Sequence, residues 1–132
     1  MTIPDDGKIP KPRNGIQRIK NAFFYSLHGL GHAIAHETAF RQEIILSCFL
    51  LPAALILPVS PVLKLLLIAD NLAVLITELL NSAVESLTDK ICPGFDLFAR
   101  HAKDMGSAAV LLALINLGIG WGFALYSLWN GL

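Results

Sequence analysis

Glu78, Asn81, Ser82, Glu85 and Asp89 stand at i, i+3, i+4, i+7 and i+11. At 3.6 residues per turn this spacing puts all five on one face of a helix. The segment before them is apolar enough to cross a bilayer, and ionisable residues at membrane depth are costly unless they do something. Carboxylates are the ligands of hard cations such as Mg²⁺, which keep several waters and bridge to substrate phosphates. Glu37 and Glu85, from two helix ends at the same depth, suit that role. Glu78 lies deeper, in a lower dielectric, where an ionised carboxylate is a strong proton acceptor. Lys103 can meet phosphate charge at the protein–water boundary, and Asp104 can take a second metal or a nucleotide hydroxyl. Base, metal and phosphate clamp are the parts of phosphoryl transfer. The residues alone leave a plainer reading open, in which the polar stripe only holds a helix bundle together.

These side chains need elements to carry them, and composition says which. Of the 132 residues 55% are hydrophobic and 15% charged, with a mean hydropathy of +0.61. That is an all-α integral membrane protein with no room for a separate soluble module. Ten basic and ten acidic residues give a formal net charge of zero, so nucleic acid is not an expected partner. Cys48 and Cys92 lie in different settings and no disulfide is expected. No removable signal peptide is evident.

Residues 1–15 are polar, with three prolines and two glycines, and read as a flexible leader. Residues 16–132 form one membrane domain. From about 16 to 35, Ile16, Ile19, Phe23, Leu27, Leu30 and Ile34 recur at steps of three and four. Arg18, Asn21, Tyr25, His28 and His32 take another face. This is an amphipathic helix, lying in the membrane interface or packed on the other helices. Three spans follow, at about 38–59, 62–88 and 105–129. Pro52 is expected to kink the first. The second carries Asp70 and Asn71, and its polar stripe must face protein. Thr88–Lys103 reads as a polar loop turning at Pro93-Gly94. The third ends in an aromatic belt, Trp121, Tyr126 and Trp129. Nine of ten Lys and Arg residues fall on one side of this arrangement and only Lys64 on the other. That side, with the N-terminus, is expected to be cytoplasmic.

Two other signals bear on function. Gly29-Leu-Gly31 is a bare G-x-G, and no G-x-x-x-x-G-K-[ST] occurs, which counts against a soluble nucleotide-binding fold. His28, His32 and His36 are spaced by four beside Glu37, a geometry open to a transition metal or to side chains reaching for headgroups.

Glu78-Leu-Leu-Asn81-Ser82-Ala83-Val84-Glu85-Ser-Leu-Thr88-Asp89 resembles the signature E-x-Φ-N-S-A-Φ-E-x-x-V-D, with Φ aliphatic, of the small trimeric diacylglycerol kinases of bacterial membranes. The flanking blocks Glu37-Thr-Ala-Phe40-Arg41-Gln42-Glu43 and Ala102-Lys103-Asp104-Met105-Gly106-Ser107-Ala108-Ala109-Val110 match too. The resemblance runs from about Arg18 to the C-terminus; Thr88 replaces the usual valine. It implies a homotrimer with sites shared between protomers, each with a surface helix and three spans, in the bacterial inner membrane. It implies Glu78 as the base that deprotonates diacylglycerol and Asn81 as an orienting residue. Glu37 and Glu85 would hold Mg²⁺ on ATP, and Lys103, Asp104, Arg18 and Tyr25 would contact the nucleotide. The expected product is phosphatidic acid, in phospholipid metabolism. His28 and Gly31 depart from the family's lysine and arginine, so no contact is carried over to them. Alternatives are an undecaprenol kinase of the same family, a small metal or proton transporter subunit using the histidines and the Asp70–Glu78–Glu85 stripe, and a non-catalytic assembly protein.

Overall fold

A computed structural model describes residues 15–131, all in helices and short connections. The leader proposed for residues 1–15 lies outside the described residues except for Gly15. Four helices follow in order: α1 (Gly15–His36), α2 (Thr38–Ile56), α3 (Pro61–Ile91) and α4 (Leu97–Trp129).

Each junction has a local cause. Glu37 separates α1 from α2 by taking an extended backbone, φ −98° and ψ 112°, and its side chain caps nothing. Arg41 instead closes the end of α1: its guanidinium donates to the Ile34 and Ala35 carbonyls at 3.2 and 3.0 Å, and to Thr38 Oγ1 at 3.0 Å. A cation on the last carbonyls of a helix also opposes its dipole. Helix α2 continues through Pro52 and ends at Ile56. Lys64 Nζ donates to the Leu55 carbonyl at 2.7 Å, which gives the lone basic residue at this end of the molecule a structural task. Ser60 caps α3 by accepting from Leu63 N–H at 3.3 Å, with Pro61 as first helical residue.

The polar stretch Thr88–Lys103 is mostly helical rather than loop. Helix α3 runs to Ile91, α4 starts at Leu97, and only residues 92–96 connect them. Asp96 is the reason: its Oδ1 accepts from Ala99 N–H at 2.8 Å, an N-cap strong enough to start a helix six residues before Lys103. Both cysteines are free thiols.

Helix α3 is the central element, packing most closely on α4, next on α2, while α1 leans on α2. Its buried positions are Leu63, Leu67, Asn71, Val74 and Glu78. These recur in steps of four, four, three and four, the seam of two helices running side by side. At the α2–α3 turn the seam is apolar, with Leu63 and Leu67 against Ala54, Val59 and Ala124. Towards the other end it turns polar. Two helices, α2 and α4, are long and apolar enough to cross a membrane, with mean hydropathies of 1.6 and 2.0.

Candidate functional site

Glu78 closes the buried face of α3. It is 4% exposed, and no hydrogen bond or ion pair reaches it among the described residues. The charged groups whose fields act on it are Glu43, Glu85 and Glu37, so carboxylates from α2 and α3 converge at one end of the bundle. Glu43 belongs to this group although spacing alone did not single it out. Its position six residues after Glu37 means nothing until α2 packs on α3. Among the described residues no three acidic, histidine or cysteine side chains stand close enough to hold a metal ion as a set.

Asn81 lies in the α3–α4 seam. Its Nδ2 donates to Glu85 Oε1 at 3.4 Å, while its Oδ1 is buried without a partner. Gly106 of α4 passes directly over that oxygen, so that any Cβ there would collide with Asn81 Oδ1. The glycine is therefore what lets α4 approach the amide. Farther along, Lys103 Nζ meets Asp89 Oδ1 at 2.9 Å, and Arg100 pairs with Asp104 at 3.8 Å. At the opposite end of the seam Asn116 Nδ2 donates to Asp70 Oδ1 at 2.7 Å. Asp89–Lys103, Asn81–Gly106 and Asp70–Asn116 thus descend α3 as they ascend α4, the register of an antiparallel pair.

A cavity of about 530 Å³ opens between α1 and α3, lined by Ser26, His32, Glu37, Ser82 and Ser86 among apolar residues such as Leu30 and Leu79. Leu79 and Ser82 directly follow Glu78 and Asn81 in α3. Ser82 belongs to the polar stripe of α3 and His32 to the histidine series beside Glu37, whereas Ser26 and Ser86 had no sequence signal tying them to Glu37. The His32 and His36 rings stand 4.5 Å apart. Arg18 and Tyr25 sit on exposed turns of α1, and no hydrogen bond or ion pair ties either to the carboxylates.

Residues 24–125 match the family described as prokaryotic diacylglycerol kinase. The chain belongs to that family. A diacylglycerol kinase of Haemophilus influenzae is 42% identical over 112 residues, 85% of this chain and 95% of the relative. One from Pseudomonas aeruginosa is 43% identical over 111 residues, covering 84% and 90%. One from Helicobacter pylori is 38% identical over 124 residues, covering 94% and 97%. Membership makes the protein an enzyme, a lipid kinase. A diacylglycerol kinase must bring a lipid alcohol, buried to its headgroup, up to a phosphoryl donor from water. Two membrane-length helices and a buried carboxylate, Glu78, on the central helix suit that encounter.

Proposed function

We propose that the chain transfers the γ-phosphoryl group of ATP to the hydroxyl of diacylglycerol, yielding phosphatidic acid and ADP at the cytoplasmic face of the inner membrane. The observation that carries this reading is Glu78: a carboxylate on the buried face of the central helix, without a basic partner among the described residues.

Depth supports the assignment. At about 1.5 Å per residue, Glu78 stands about 26 Å along α3 from Pro61, and Glu85 about 36 Å. With the Ser60–Pro61 turn at the far boundary of a hydrocarbon layer about 30 Å thick, Glu78 lies just inside the near boundary. Glu85 then lies among the headgroups. A diacylglycerol hydroxyl resides between the two. This makes α3 the third span, its polar stripe turned to protein, with α1 along the cytoplasmic surface and the N-terminus on the same side.

In the reaction Glu78 takes the proton of the lipid hydroxyl as that oxygen attacks the γ-phosphorus. The bond between that phosphorus and the oxygen of the departing ADP breaks. Glu37 and Glu85 fit a Mg²⁺ ion: both are hard oxygen donors, Glu37 is spent on no cap, and Mg²⁺ needs only one or two carboxylates beside waters and phosphates. When bound, the ion neutralises charge on the phosphates. Lys103 and Asp104 contact the nucleotide, with Arg18 and Tyr25 reaching it from α1, and Asn81 holds Glu85 in place. The working unit is a homotrimer, in which protomers complete one another's sites.

Purified protein in mixed micelles, given ATP and Mg²⁺, should phosphorylate diacylglycerol in preference to undecaprenol. Preference for undecaprenol would move the chain to the family's other substrate. No turnover on either lipid sinks the reading.

A further inference from the structure

Asp89 has no task in the reaction above, yet it makes the one ion pair that joins α3 to α4 among the described residues: Lys103 Nζ lies 2.9 Å from its Oδ1. Its geometry is specific. Asp89 sits one helical turn beyond Glu85 on the same face of α3, and Glu85 is the other carboxylate whose field reaches Lys103. A lysine ammonium is a compact charge on a four-carbon stem with three donors. Left without Asp89, it would either sample many rotamers, which costs entropy on binding, or fall onto Glu85. The second outcome would cancel the charge of a proposed metal ligand. Held on Asp89, the ammonium spends one donor and keeps two for incoming phosphate oxygens, and Glu85 remains uncompensated. Asp104, the neighbour of Lys103, is engaged by Arg100 instead, so the two cations are shared out between separate partners.

We infer that Asp89 is a positioning residue for nucleotide binding, acting through Lys103: it stations the lysine ammonium one turn above Glu85, apart from the metal site. This inference rests on the kinase reading above and deepens it.

The test is a double-mutant cycle on binding of a fluorescent, non-hydrolysable ATP analogue. It uses the full chain in detergent with Mg²⁺ and without lipid, so that turnover does not enter. Asp89→Asn should weaken binding by about two- to fivefold, the range a half-exposed ion pair supplies. Asp89→Glu should restore it. In a Lys103→Met background Asp89→Asn should weaken binding no further. Unchanged or tighter binding by Asp89→Asn overturns the inference, as does an equal fold loss in both backgrounds. Thermal unfolding is followed in parallel, with Asp89→Ser as a second probe. If neither variant folds, the pair is structural and the inference fails. Turnover of lipid alcohols by wild type on the same preparation separates the two levels. A dead wild type sinks the kinase reading, and an active one with an additive cycle sinks only the role of Asp89.

Discussion

At the scale of single residues, Glu78 is unusual for what it lacks. A buried carboxylate normally has a cation or several N–H donors; Glu78 has neither among the described residues, and the charges that act on it are those of other carboxylates. Such an arrangement is expensive to fold and useful only where a cation and a proton donor arrive with the substrates. Glu78→Gln keeps the shape and removes the base. The variant should lose at least about a hundredfold in kcat, the low end of general-base contributions, while binding the ATP analogue within about twofold of wild type. Normal turnover would show that the base lies elsewhere. The spacing of Glu78, Asn81 and Glu85 was readable from the chain, as were the residue types. The convergence of Glu43 was not, because its partners come from another helix.

At the scale of elements, the α3–α4 seam is set by two glycines. Gly106 admits Asn81, and at Gly120 a Cβ would stand 2.6 Å from Asp70 Oδ2. With lipid on the outside, helix association depends on close contact and hydrogen bonds rather than on expulsion of water. Gly120→Leu should therefore push α4 away, break the Asp70–Asn116 bond and cost about 1–3 kcal/mol, as overpacking does. The measurement is the unfolding midpoint in detergent. An unchanged midpoint would mean that the seam is looser than the Asp70 contact implies. Gly106, Gly118, Gly120 and Gly122 are legible in the sequence as places where another helix can come close. Which polar group each glycine faces depends on register, and register is a property of the pair. The α3–α4 turn shows the converse: composition suggested a loop of sixteen residues, but α3 runs on to Ile91 and a cap at Asp96 starts α4 at Leu97.

At the scale of the whole molecule, a single chain leaves much of its surface to be covered. Among the described residues only Phe40, Leu67 and Val74 of the large side chains are fully buried. Leu111, Leu112, Ile115 and Ile119 of α4 are exposed, as lipid contact requires. Asn116 is exposed in their midst, near the middle of a 33-residue helix, where a polar amide belongs against protein rather than acyl chains. The proposed homotrimer supplies that protein. Chemical cross-linking in mild detergent should trap dimers and trimers of wild type. Asn116→Leu, which removes that amide, should shift the distribution toward monomer. A wild type that remains monomeric at all concentrations would count against shared sites.

The chain by itself determined the class, the number and order of helices, and which residue types could do phosphoryl chemistry. Those follow from hydrophobic runs, helical spacing and turn residues, all local in sequence. Tertiary structure decided that Glu78 faces inward while Glu85 stays half-exposed, that Asn81 lies under a glycine of α4, and that Lys103 rests on Asp89. Each depends on how one helix is rotated and shifted against another, which arises only when the faces meet.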